Sequence, residues 1–154
     1  MRVIAHRMMS SSEIPMQNVL RKEESLFAHF DGYPWDFEID VRYFENQMGP
    51  GLVFGHEDNP PTSFTWDAGI SLTKGNPFWS AEIIDRMIGQ QGDRIWFHCK
   101  DLGSANLLRR LGAPHFFLHD KDDAALTSCG KLWTPPDRDW ETKFDPPVGQ
   151  SFGQ

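Results

Sequence analysis

The chain of 154 residues carries 22 Asp plus Glu against 15 Lys plus Arg, a formal charge of −7 that excludes the basic footprint of a protein neutralising many nucleic-acid phosphates. A hydrophobic share of 39%, with 12 Phe and 6 Trp, supplies the core of one domain and excludes a disordered chain. Two cysteines without a CxxC pair make no disulfide scaffold, no apolar run reaches the roughly 18 residues of a membrane span, and Met1 to His6 is too short and polar for a signal peptide. The expectation is a soluble, cytoplasmic protein.

Arg2 to Ala5 is a short apolar run ending in His6-Arg7, the pattern of a buried strand that delivers two cationic side chains to a loop. Ser10 to Ser12 and Pro15 mark the loop, and Asn18 then caps a predicted helix through Leu20, Leu26, Phe27 and Phe30, stopped at Asp31-Gly32. From Trp35 to Arg42 apolar and charged residues alternate, which puts Phe37, Ile39 and Val41 on one strand face and Glu38, Asp40 and Arg42 on the other. Gly49-Pro50-Gly51 turns the chain into a strand over Leu52 to Gly55 that ends in His56-Glu57-Asp58. Asn59 to Asn76 reads as one long loop, where Phe64, Trp66 and Trp79 beyond it are expected to pack rather than cover a ligand.

The spacing of Ile83, Ile84, Met87 and Ile88 predicts a helix from Phe78 to Ile88, and Ile95 to Lys100 predicts a strand. A short helix from Gly103 to Leu111, a strand from His115 to Leu118 ending in His119-Asp120, and a last strand from Lys131 to Thr134 follow. Asp120 to Asp123 suit a helix cap slightly better than a ligand role. Residues 137–154 lack periodicity and read as an irregular tail to a single domain over 1–136. Six strands alternating with helices imply βα units and a parallel sheet, open or closed; a complete eight-stranded barrel usually takes about 200 residues or more, so any barrel here is a reduced one.

Four predicted strands end in histidine (His6, His56, His98 and His119), and in a parallel α/β sheet the carboxyl ends of strands form one rim. Glu38 and Asp40, two residues apart on one face, bring two hard oxygens within reach of one cation, although an ExD pair in an acidic chain is also common on a solvated strand face. His98 and Lys100 share a face in the same way. Cys99 then points to the layer behind, which argues against a nucleophilic thiol.

Val3-Ile4-Ala5-His6-Arg7, then Phe37-Glu38-Ile39-Asp40-Val41-Arg42, then Val53-Phe54-Gly55-His56-Glu57 resembles the glycerophosphodiester phosphodiesterase family in order and spacing. That family belongs with the phosphatidylinositol-phospholipase-C-like barrel enzymes. Phe97-His98-Cys99-Lys100 resembles its later strand, where a metal-binding glutamate precedes a lysine by two residues. The resemblance implies a reduced or incomplete TIM-like barrel with about six parallel strands. It also implies a metal-dependent phosphodiester hydrolase with His6 and His56 as general acid and base, Arg7 and Lys100 on the phosphate, and Glu38, Asp40 and His98 on the metal. The implied substrate is a small phosphodiester or phosphosugar.

Met8 stands where the family has glycine, Glu57 where it has aspartate, and His98 where it has a third carboxylate. Magnesium or calcium suits the carboxylates, and the imidazole draws the expectation toward manganese or zinc. Two further readings are a non-catalytic phosphate- or phosphosugar-binding relative and a zinc hydrolase using several of the four histidines, though no HxH or HExxH spacing occurs. Exposed apolar sheet edges would make a homodimer sensible, although the sequence does not reveal the oligomeric state.

Overall fold

The computed structural model describes residues 4–9, 15–61, 66–67, 70–71, 75–119, 125–130 and 132–133. In chain order the strands are β1 (Ile4–Ala5), β2 (Asp36–Asn46), β3 (Gly49–Phe54), β4 (Trp66–Asp67), β5 (Ile70–Ser71), β6 (Phe78–Ser80), β7 (Ile95–Cys99), β8 (Phe116–Leu118), β9 (Ala125–Leu126) and β10 (Leu132–Trp133). The helices are α1 (Glu23–Asp31), α2 (Ala81–Gln91) and α3 (Leu102–Arg110), with single 3₁₀ turns at His6–Met8, Met16–Asn18 and Gly92–Arg94.

The expected barrel is not formed. The main sheet is open and mixed, in the order β6-β3-β2-β7-β8, with β1 pairing the start of β2 on the side where β3 ends. β1, β2, β7 and β8 run parallel, whereas β3 and β6 pair antiparallel. The length of one connection explains the difference. Only Gln47 and Met48 separate β2 from β3, and so short a link permits a hairpin but not a crossover, which needs a dozen residues or more. Gly49 closes that turn at φ 94°, in the left-handed region open to glycine.

Three other expectations are corrected. Asn18 caps no helix but ends the 3₁₀ turn Met16–Asn18, and α1 starts at Glu23 with Lys22 before it. Phe78 to Ser80 are strand rather than helix, because Ser80 is the N-cap whose Oγ accepts from the Ile83 N–H and the helix starts only at Ala81. The strand within Lys131 to Thr134 reduces to β10, which pairs antiparallel with β9 outside the main sheet, so β6 supplies the sixth strand instead. Phe64, residues 120–124 and the tail over 137–154 lie outside the described residues.

The core explains why β2 sits at the centre. Phe37, Ile39 and Val41 of β2 are fully buried, and they join Leu26 and Phe30 of α1, Ile83, Ile84 and Met87 of α2, Leu107 and Leu108 of α3, and Phe97 and Cys99 of β7 in one cluster. Trp79 is fully buried there too, which settles it as a packing residue. Asp101 starts α3 by accepting from Ser104 N at 2.7 Å and also receives Tyr43 N of β2, fixing the helix to the strand. Among the described residues, no helix is long and apolar enough to cross a membrane.

Candidate metal centre

The charged face of β2 is as deeply enclosed as its apolar face over residues 36–41: Glu38 is 3% and Asp40 1% exposed. A solvated face is thereby excluded. The enclosure comes from register. β1 ends at Ala5 opposite Phe37, β7 ends at Cys99 opposite Val41, and β3, returning along the hairpin, ends at Phe54 opposite Val41. The carboxyl ends of three strands thus meet the middle of β2, one of them from the reverse direction.

His98 lies opposite Asp40 across the parallel β2–β7 pair. Its Nδ1 stands 3.0 Å from Asp40 Oδ1 and 3.4 Å from Glu38 Oε1. One ligand atom each from Glu38, Asp40 and His98 lies within 4.8 Å of the others, and this group could hold a metal ion. The span fits the chemistry, since ligands on opposite sides of an ion at 2.0–2.6 Å are about 4–5 Å apart. Glu38 Oε1 is buried without a close hydrogen-bond donor, as an oxygen that coordinates a cation would be, whereas Asp40 Oδ1 faces the His98 and Lys100 nitrogens. His98 Nε2 lies 3.1 Å from the His119 carbonyl, which would receive its N–H while Nδ1 faces the carboxylates; metal-ligating histidines are held in this way.

Basic side chains close the ring. Lys100 Nζ is 3.0 Å from Asp40 Oδ1 and 3.1 Å from each ring nitrogen of His98. Arg7 Nε is 3.7 Å from Asp40 Oδ2, and His6 Nε2 is 3.5 Å from Glu38 Oε1 with its side chain 30% exposed. Burial by itself raises the Asp40 carboxyl, but the His98, Lys100 and Gln17 contacts outweigh it and hold the group well below the usual carboxylate range. Burial likewise opposes charge on His98, yet Asp40 and Glu38 prevail and raise it.

His6 and Arg7 reach the cluster through a strained turn. Arg7 and Met8 adopt φ 54° and 56°, both in the left-handed region that favours glycine. Met8 holds that conformation because its side chain is fully buried, and its carbonyl lies 3.1 Å from His29 Nε2.

His56 is placed differently. Gly55 N donates to the Asp40 carbonyl, so the chain leaves β3 at the level of the cluster. The imidazole itself is 41% exposed and its Nδ1 contacts Glu57 Oε1 at 3.1 Å, away from Glu38, Asp40 and His98. Beside it, Arg42, Asn76, Lys100 and Asp101 line a cleft of about 330 Å³, so Lys100 borders both cleft and cluster.

Gln17, which no motif indicated, is 1% exposed and clamps Asp40. Its Nε2 donates to Asp40 Oδ2 at 2.9 Å, and its Oε1 accepts from Asp40 N at 2.9 Å. Nothing in a loop sequence Pro15-Met16-Gln17-Asn18 distinguishes such a residue. Compared with family models, with curated proteins and with solved structures, the chain matches none.

Proposed function

We propose that the chain is a divalent-metal-dependent phosphodiester hydrolase of small, soluble substrates. The observation that carries the reading is the convergence of Glu38, Asp40 and His98 on one buried point with Arg7, Lys100 and His6 around it. Two carboxylates face two fixed cations, so a bound divalent ion would leave the site with positive charge, the sign that an anionic phosphodiester requires. When bound, the ion supplies Lewis-acid stabilisation of the phosphoryl oxygens.

The remaining work falls to the chain. Arg7 and Lys100 hold the non-bridging oxygens, Lys100 from the wall of the cleft that takes the rest of the substrate. His6, partly exposed beside Glu38, transfers a proton at the reacting oxygen, and His56 serves the opposite transfer once its imidazole turns from Glu57 toward the site. Magnesium or calcium suits the two carboxylates, and the imidazole of His98 widens the range to manganese and zinc. A zinc hydrolase of another class finds less support, because the cluster holds one histidine rather than three.

Hydrolysis of glycerophosphodiesters and of bis(p-nitrophenyl) phosphate, measured with magnesium, calcium, manganese and zinc in turn, tests the reading. Turnover is expected only with metal, and His6→Ala is expected to lower kcat by about 10²–10⁴-fold. Metal-independent turnover, or full turnover in folded His6→Ala, overturns the assignment. Phosphate binding without turnover would select the non-catalytic reading, which the Glu57 contact of His56 favours.

A further inference from the structure

Asp40 lies in a gap on one side of β2, since β1 pairs only as far as Phe37 and the pairing with β3 covers only Val41 onward. The Asp40 carbonyl on that side is taken by Gly55 N, but its N–H has no strand to bond, and the side chain of Gln17 fills the gap. The same amide group then takes Asp40 Oδ2. A buried primary amide with both ends engaged on one residue leaves that carboxylate a single oxygen, Oδ1, to turn toward His98 and Lys100.

We infer that Gln17 is a positioning residue that holds Asp40 as a one-oxygen ligand and thereby selects a small octahedral cation, magnesium or manganese, over calcium. The inference rests on the metal reading above and narrows it. Calcium takes six to eight oxygens and gains readily from bidentate carboxylates, whereas magnesium and manganese accept octahedral sets at shorter distances. With Oδ2 tied to Gln17, Asp40 offers the geometry of the second kind. Release of Oδ2 makes the bidentate mode accessible and favours the larger ion.

Titration calorimetry of the full chain with manganese, magnesium, calcium and zinc chlorides, on wild type, Gln17→Met and Gln17→Asn, reads the selectivity directly. Wild type is expected to bind manganese and magnesium more tightly than calcium. Gln17→Met, of similar volume but without the amide, is expected to lose about 10–100-fold in manganese affinity while calcium falls less, so the ratio narrows. Gln17→Asn, one methylene too short to reach both atoms, is expected to fall between.

An unchanged manganese-to-calcium ratio in either folded variant overturns the role of Gln17 and leaves the metal centre standing. If wild type binds none of the four ions, the metal reading itself is overturned, and binding of zinc alone overturns the octahedral selection assigned to Gln17. Should neither variant fold, NMR of wild type decides: the Gln17 side-chain amide and the Asp40 N–H are expected to stay protected from exchange at saturating magnesium, and loss of that protection on binding overturns the one-oxygen mode.

Discussion

Asp40→Asn isolates the charge of the most enclosed acid while keeping its shape, so the expected effect is electrostatic and leaves no cavity. Gln17 Nε2 requires an acceptor at the position of Oδ2, which orients the new amide with its oxygen toward Gln17. The NH2 group then faces Lys100 Nζ and His98 Nδ1, each 3.0 Å from the present Oδ1. Donor meets donor, and the 14%-exposed Lys100 side chain loses its anion. Removing one partner of a buried pair costs about 3–5 kcal/mol, and partial access of Lys100 to the cleft puts the value near the lower end, about 3 kcal/mol. At about 2–4 °C per kcal/mol for a chain of this size, the melting temperature falls by about 6–12 °C. Circular-dichroism melts in EDTA give the number free of any metal contribution. A melting temperature equal to or above wild type would refute the reasoning, because it would show that the desolvation of Asp40 outweighs its pairing.

Three further outcomes follow from other parts of the structure. Met8→Gly relieves a left-handed backbone, worth about 1 kcal/mol, but empties a fully buried site, worth about 2–5 kcal/mol, so urea denaturation should show a net loss; a more stable variant would mean the strain exceeds the packing. Asp101→Ala removes the cap of α3 and the acceptor for Tyr43 N, about 2 kcal/mol together, with Asp101→Asn recovering part; an unchanged urea midpoint would contradict this. Burial pushes the Cys99 thiol up to about 12, so iodoacetamide on native protein at pH 8 should label exposed Cys129 and spare Cys99, and mass spectrometry showing equal labelling would refute it. Because that folded value lies above the ordinary 9, the contribution of the neutral thiol to stability is complete below pH 9 and is lost as pH rises toward 12.

The sequence alone determined what is local. The two-residue spacing of Glu38 and Asp40 placed both carboxylates on one face of β2, and the same period set His98 and Lys100 opposite the buried Cys99, because side chains alternate along any strand whatever lies beside it. Only the tertiary structure decided what stands next to that face. The direction of β3 follows from its two-residue link to β2, a constraint that strand counting overlooked, and it makes an open mixed sheet where a parallel barrel was expected. Gln17 and the left-handed turn at Arg7 and Met8 carry no periodic signal, since each exists to serve a backbone group or a carboxylate that is distant in the chain. Which carboxylates share a face is written in their spacing; the orientation of their oxygens is set by contacts that form only when remote segments pack together.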